Sequence, residues 1–296
     1  MLLKCEHLTK KLGQYQLKDV SFTLEKGMIL GVIGINGCGK TTLLRSILGS
    51  YRLDQSPEDA GELWIGDWHH KTQVKEYKGS MAYVLQECPF SEFMHPFEVG
   101  EKYGPFYQGF DLKKFKDLVK KYEVPEKKMI SELSKGQVLR LQLAFAQSYP
   151  ARLYVFDEPV GNLDVEFRDG FYETVRELVS NEESSVILSS HLVTELEGIA
   201  DELLWLGKKD DEGYVRYHGT TDELRDGYRI LSAEDGEEAI PPEMIRGKRI
   251  RESHKEWLLQ ATDGDFAGRL PKEMAGNLRY PDLQEIMYFV EKEEER

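Results

Sequence analysis

Cysteine is scarce in this 296-residue chain: Cys5, Cys38 and Cys88 are odd in number and far apart. That excludes a disulfide framework and the paired-cysteine spacing of a zinc module, and it points to a reducing compartment. Long apolar runs are also missing. None approaches the roughly 18 residues of a membrane-spanning helix. The start, Met1-Leu2-Leu3-Lys4-Cys5-Glu6-His7, lacks the apolar core of a secretion signal, so a cytoplasmic protein is expected. Positive charge is in deficit, with 39 Lys and Arg against 53 Asp and Glu, for a net charge of −14. Such a balance opposes non-specific binding to nucleic acid or to anionic lipid, and no nucleic-acid partner is expected. Internal repeats, low-complexity tracts and a long Pro/Gly linker are absent from the sequence. The 40% of hydrophobic residues suffices for one sizeable core and a small second domain.

What is present begins at Gly34. Residues Gly34 to Thr41 read Gly-Ile-Asn-Gly-Cys-Gly-Lys-Thr, a complete GxxxxGK[ST] loop. It follows the apolar run Met28, Ile29, Leu30, Val32, Ile33 and opens onto Leu43, Leu44, Ile47 and Leu48, the strand–loop–helix context that such a loop requires. Glycines let backbone N–H groups close around phosphate oxygens, and the helix N-terminus adds a favourable dipole. Lys40 supplies a mobile positive charge and Thr41 a hydroxyl for Mg²⁺.

Periodicity organises the rest. Val20, Phe22 and Leu24 alternate with polar residues and predict a half-buried strand. Residues 61–68 read as a strand, 81–85 as a buried strand ending at Gln86, and 51–60 as a polar loop. Leu112, Phe115, Leu118, Val119 and Tyr122 mark one face of a helix. Ser134 precedes Gln137 by capping-box spacing and predicts a helix from Lys135. Leu153 to Phe156 and Ser185 to Leu188 read as buried strands, with Phe167, Phe171, Val175 and Leu178 on a helix between them. Strands alternating with helices over 28–206 predict an α/β fold with a mostly parallel sheet flanked by helices. Beyond about 207 the pattern loosens. Residues 228–231 and 257–260 read as short strands and 281–290 as a helix with Pro281 at its first position. The closing Glu-Lys-Glu-Glu-Glu-Arg run reads as a solvated end.

Asp157-Glu158 stands at the C-terminal end of an apolar strand, where open α/β sheets place their ligands. Two adjacent carboxylates can divide labour there, one holding Mg²⁺ and the other accepting a proton from water. Alone, such a pair is as readily a solvated strand end; beside a phosphate loop the chemical reading prevails.

Leu133-Ser134-Lys135-Gly136-Gln137 closely resembles the LSGGQ signature of the ATP-binding-cassette (ABC) ATPases. Gly34–Thr42 then resembles Walker A, Leu153–Glu158 Walker B with its following glutamate, Gly161-Asn162-Leu163-Asp164 the D-loop, Gln86 the Q-loop and His191 the switch histidine. The elements stand in family order over roughly residues 1–225. The resemblance implies a P-loop NTPase core with an antiparallel β subdomain and a helical subdomain. The ATP-binding domain would span 1–219, its helical subdomain about 88–150, and a small α+β domain 220–296.

It also implies a mechanism. Two cassettes pack head to tail around two ATP molecules. Asn36, Gly37, Cys38, Gly39, Lys40, Thr41 and Thr42 would hold the phosphates of one ATP. Thr41 and Gln86 would serve the Mg²⁺ site, with Asp157 supporting it. Ser134 and Gly136 of the opposite subunit would cap the γ-phosphate. Glu158 would be the general base, and His191 would orient γ-phosphate and water, with Gln86 beside them. Ser134 can equally be only a helix cap, and Asp164 can cap the following helix.

Three positions depart from the pattern. Lys135 stands where the signature has Gly, Val160-Gly161-Asn162 alters the D-loop, and Leu12 replaces the aromatic that usually stacks on adenine, with Tyr15 near enough to substitute. Without a membrane span of its own, the chain would act as a peripheral subunit on the cytoplasmic face of an integral membrane permease. Phe90, Phe93, Met94, Pro96 and Phe97 would line the docking groove or belong to ordinary core. The Glu-Leu-Ser-Lys-Gly signature is similar to that of exporter-type bacterial cassettes. The alternative is a soluble ABC ATPase in translation, cofactor assembly or DNA maintenance. Translation-type members usually carry two cassettes and DNA-maintenance members long coiled coils, and neither is visible here.

Overall fold

The computed structural model describes residues 1–53, 61–160, 165–191, 193–234, 237–250, 254–261 and 264–294. The chain forms two compact units, Met1–His191 with Ile199–His218, and Leu192–Gly198 with Gly219–Arg296. Most of the polar loop read at 51–60, and the last two residues of the charged end, lie outside the described residues.

The larger unit starts with a hairpin of β1 (Leu3–Leu12) and β2 (Tyr15–Leu24), in which Leu12 faces Tyr15 across the tip. Val20, Phe22 and Leu24 are buried while Ser21 and Thr23 are exposed, as the alternation requires. β3 (Ile29–Ile33) leads through the Gly34 loop into α1 (Lys40–Ile47). Residues 61–68 were expected to make one strand. Instead they turn back as β4 (Glu62–Ile65) and β5 (Trp68–His69), because Gly66 takes φ +57° and reverses the chain. α2 (Val74–Gly79) and β6 (Met81–Val84) follow.

The helical region comprises α3 (Pro96–Tyr103), α4 (Leu112–Lys121) and α5 (Lys135–Ala146). α4 is capped by Asp111, whose carboxylate accepts from the Lys114 N–H at 2.9 Å, and it buries Phe115 and Val119. Phe145 of α5 holds the region together. Its ring lies 5.1 Å from Phe90, 5.1 Å from Tyr107, 4.9 Å from Phe110 and 5.8 Å from Phe115.

β7 (Leu153–Asp157), α6 (Val165–Val179) and β8 (Ser185–Ser189) come next, and then α7 (Val193–Leu196), which belongs to the smaller unit. β9 (Glu202–Lys209) and β10 (Glu212–Thr220) complete the larger unit's sheet, in the order β5-β4-β1-β2-β10-β9-β3-β8-β7-β6. β9, β3, β8, β7 and β6 pair in parallel, whereas β5, β4, β1 and β2 pair antiparallel. Every residue of β3, β7 and β8 is buried, which is why these strands read as unbroken apolar runs. β10 gave no comparable signal because most of its side chains are only half-buried.

The smaller unit carries α8 (Thr221–Asp226), β11 (Tyr228–Ala233), β12 (Ile245–Ile250), β13 (Lys255–Gln260), α9 (Lys272–Ala275), β14 (Leu278–Arg279) and α10 (Leu283–Glu294). Its antiparallel sheet, ordered β12-β13-β11-β14, buries Leu231, Trp257, Leu259 and Phe266. α10 begins at Leu283 and not at Pro281. The Glu285 N–H donates to the Asp282 carboxylate at 2.7 Å, and the Asp282 N–H to Glu285 at 3.3 Å. That reciprocal cap satisfies amides for which proline offers no acceptor. Glu285 also accepts from Arg279 and Arg249, and the Arg279 guanidinium above all holds its carboxyl down at about 2.

Candidate active site

Strand register builds the site's edge. Val84 of β6 opposes Phe156 of β7, Phe156 opposes Leu188 of β8, and Leu188 opposes Gly31 of β3. Two residues further along each strand stand Gln86, Glu158, Ser190 and Ile33, so the sheet delivers these ends in one row at its carboxyl edge.

The phosphate loop closes there. Gly34 takes φ +144°, and a Cβ on it would lie 2.4 Å from the Leu206 carbonyl oxygen and 2.7 Å from Cys38 Sγ. Gly39 takes φ +108° as the N-cap of α1, and a Cβ there would meet the Tyr15 hydroxyl at 2.2 Å. Glycine is therefore required at both positions by conformation and by space. Since Gly39 has no side chain to cap α1, the first amides of that helix have no competing side-chain acceptor from their own cap. Asn36 and Gly37 are exposed, whereas the Cys38 N–H is turned inward to the Ile35 carbonyl at 3.2 Å. Tyr15 stands beneath the loop, its hydroxyl donating to the Cys38 carbonyl at 2.7 Å. Leu12 is 37% exposed at the hairpin tip opposite.

Lys40 spans the loop. Its Nζ donates to the Gly34 carbonyl at 2.8 Å and the Ile35 carbonyl at 3.4 Å, and it lies 3.9 Å from Glu158 Oε1. An ammonium has three donors, so one remains for a phosphate oxygen. Thr41 Oγ1 lies 3.3 Å from Asp157 Oδ1. Asp157 is 2% exposed. Burial pushes its carboxyl above the usual range, and the Ser189 and Thr41 hydroxyls pull it back down.

Glu158 sits just past β7 with φ +48°, a left-handed backbone that is costly for a residue with a side chain. Ser189 holds it there. The Ser189 hydroxyl accepts from the Glu158 N–H at 3.0 Å and donates to Asp157 at 2.8 Å. His191 Nδ1 meets Glu158 Oε2 at 3.1 Å. Lys40, Thr41, Asp157, Glu158, Ser189 and His191 thus form one connected polar cluster. The arrangement can grip a phosphate, anchor a cation through hard oxygen donors and hold a carboxylate ready for water.

Two residues in this frame went unread in the sequence. Ser189 is one; its only signal was a hydroxyl at the end of an apolar run, two residues before His191. Gln142 is the other. Buried in α5, its side-chain amide accepts from the Leu85 N–H and donates to the Leu85 carbonyl, both at 3.0 Å. It thereby fastens the chain immediately before Gln86, whose own side chain is exposed. No apolar or charge periodicity marks such a glutamine.

Ser134 and Gly136 stand apart from this cluster at the start of α5. Ser134 is exposed and caps the helix, accepting from the Gln137 N–H at 3.2 Å while Gln137 accepts from the Ser134 N–H at 3.0 Å. Lys135 is exposed beside it. The D-loop segment, Gly161 to Asp164, lies outside the described residues.

Residues 17–161 match the family model described as ABC transporter. The chain is 30% identical over 208 residues to the ABC transporter ATP-binding protein YtrB of Bacillus subtilis, covering 69% of this chain and 68% of that protein. It is 26% identical over 222 residues to the uncharacterized ABC transporter ATP-binding protein YdbJ of the same organism, covering 74% of this chain and 70% of that one. In fold it resembles the ATP-binding cassette MJ0796, solved as a dimer in a post-hydrolysis state bound to ADP and Pi. That likeness has a TM-score of 0.63 at 20% identity and covers 74% of this chain and 98% of the other. On the family match and the 30% identity to a relative covered over two thirds of its length, the chain belongs to the ATP-hydrolysing, ATP-binding subunits of ABC transporters.

Proposed function

We propose that the chain drives a separate integral membrane permease, as an exporter, by closing a dimer on ATP with Glu158 as the general base. The observation that carries the catalytic part is the placement of Glu158, 3.9 Å from Lys40 and 3.1 Å from His191. Lys40 and the amides of the Asn36–Thr42 loop hold the β- and γ-phosphates. Glu158 takes the proton from the attacking water, and His191 orients that water and the γ-phosphate. Adenine rests on the apolar hairpin tip of Leu12 and Tyr15. The Thr41 hydroxyl and the buried Asp157 carboxylate, within 3.3 Å of each other, fit the hard-oxygen chemistry of Mg²⁺, and Gln86 adds a carbonyl oxygen at the same edge. When bound, Mg²⁺ neutralises charge on the phosphate oxygens.

Ser134 and Gly136 cap the γ-phosphate of the opposite subunit's ATP, with the start of α5 aimed at that charge. Ser134→Ala is expected to cost the monomer about 1 kcal/mol through the lost cap, while steady-state hydrolysis falls by about 10-fold or more, a loss of at least roughly 1.4 kcal/mol in transition-state stabilisation. Thermal unfolding and an ATPase assay on the same sample separate the two effects. Equal, small changes in both would leave Ser134 a helix cap alone.

The permease reading rests on a cleft of about 1530 Å³ in the larger unit, lined by Trp68, Leu85, Pro89, Tyr103, Phe106 and Tyr107. Phe106, 83% exposed, stands at it, and Leu85 joins it directly to Gln86. The apolar cluster of Phe90, Phe93, Met94, Pro96 and Phe97, read as groove lining or ordinary core, divides between exposed and buried. Phe93 is 74% exposed, Pro96 is buried, Phe90 is half-buried against Phe145, and Phe97 lies under Lys116 and Lys120. No helix among the described residues is long and apolar enough to cross a membrane. Export is supported by the Glu132-Leu133-Ser134-Lys135-Gly136 signature. The expected result is co-purification from native membranes with an integral membrane protein. Recovery only with soluble assemblies overturns the reading. In inside-out vesicles the same complex should accumulate its cargo on addition of ATP, which an importer would not do.

A further inference from the structure

The β4–β5 hairpin brings together residues that the ATP site does not use. Glu62 opens β4, His69 closes β5, and His70 begins the turn that follows. Cross-strand pairing sets Trp64 opposite His69 and continues with the His70 N–H donating to the Leu63 carbonyl at 3.0 Å. The chain turns at His70, and the two adjacent imidazoles come to stand edge to face with centroids 4.7 Å apart. One donor atom from each of Glu62, His69 and His70 lies within 4.8 Å of the other two. We infer that Glu62, His69 and His70 form a zinc-binding site.

The surroundings of each donor support this. His69 Nε2 already touches Glu62 Oε2, while its Nδ1 stands 3.2 Å from the Thr72 hydroxyl. That hydroxyl points its own proton to Gln73 Oε1 at 3.2 Å, which leaves its oxygen to accept from His69. With zinc on Nε2, the neutral imidazole carries its single proton on Nδ1, where Thr72 receives it. His70 Nδ1 faces Leu63, 3.0 Å from its N–H and 3.2 Å from its carbonyl; ligation through Nε2 takes the tautomer in which the Nδ1 proton turns to that carbonyl. Metal-bound imidazoles characteristically give their second N–H to such a partner, which fixes both tautomer and ring plane. Lys71 occupies Glu62 Oε1 at 2.7 Å and leaves Oε2 for the ion.

Two imidazoles and a carboxylate suit Zn²⁺, with water as a fourth ligand. Tetrahedral donors at about 2.0–2.1 Å from zinc stand roughly 3.4 Å apart, so binding takes small ring rotations that part the touching His69 Nε2 and Glu62 Oε2 to admit the ion. Since β5 is the two-residue edge strand of its sheet, the ion would staple the hairpin that terminates it.

The test is titration of tag-free, full-length protein with Zn²⁺ alone, read by calorimetry and by competition with a chromophoric chelator. One equivalent is expected to bind with micromolar or tighter affinity, and Co²⁺ in its place should give the visible absorption of a tetrahedral centre. Glu62→Gln keeps the shape of the side chain, and His69→Asn keeps a polar group facing Thr72. Each should weaken binding by about 10-fold or more. Unchanged ATPase activity and thermal midpoint without metal verify that the variants fold. Binding no tighter than millimolar, or affinity equal to wild type in both variants, overturns the site and marks the zinc as held by scattered surface histidines.

Discussion

Replacing Glu158 with glutamine is expected to leave ATP bound and unspent. The substitution keeps side-chain shape and an oxygen that can still face His191, now 3.1 Å away, but it removes the negative charge that lies 3.9 Å from Lys40. Two consequences follow, with opposite signs. The proposed base is gone, so hydrolysis should fall by about 10²–10⁴-fold, the usual contribution of a positioned general base. The phosphate grip is untouched, and one carboxylate no longer repels the γ-phosphate, so affinity for ATP should hold or rise. Trapped nucleotide should then keep two subunits together. Single-turnover hydrolysis measures the first effect. Size-exclusion chromatography with and without ATP measures the second, a shift from monomer to dimer that persists in the variant and decays in the wild type. A variant that hydrolyses bound ATP at near wild-type rate removes Glu158 as the base.

Lys40→Ala should fail one step earlier. Lys40 is only 6% exposed and its ammonium bridges the loop's Gly34 carbonyl and Glu158. Removing it deletes the one side-chain cation within the phosphate loop and leaves Glu158 without its positive neighbour, next to the site of a polyanion. A charge-assisted hydrogen bond contributes about 1.5–3 kcal/mol, so ATP affinity should drop by roughly 10- to 100-fold. Equilibrium binding of a fluorescent ATP analogue reads this directly. The contrast with Glu158→Gln matters most: one variant loses affinity and the other loses turnover. ATP affinity close to wild type in Lys40→Ala would show that the loop amides alone hold the phosphates.

Much of this was legible in the sequence, for identifiable reasons. The Gly34–Thr41 loop has fixed spacing because backbone geometry demands glycine at specific places, as the Gly34 and Gly39 contacts show. Ser134 and Gln137 announced the start of α5 because a capping box is local in the chain. The buried parallel strands were readable because both their faces are apolar. What escaped was non-local. Ser189 matters through Asp157 and Glu158, 32 and 31 residues away, and Gln142 through Leu85, 57 residues away. No window of neighbouring residues contains either relation. β10 was missed because half-buried strands show no clean alternation. The first turn of α10 was misplaced because Asp282 and Pro281 are both good starters, and only the hydrogen bonds of Glu285 decide between them.

The Gln142 clamp has a consequence for how news of the nucleotide travels. An amide that both gives to and takes from the same backbone residue is a two-point joint, and two points fix an angle as well as a distance. Tilting α5 without carrying Leu85 along would strand a buried donor and a buried acceptor together. The helix that presents Ser134 and the segment that presents Gln86 therefore have a shared fate. On the proposed function, one belongs to the face offered to a second subunit's ATP, the other to the chain's own. A change at either is felt at both, and because such coupling is reciprocal, neither end is sender or receiver by design.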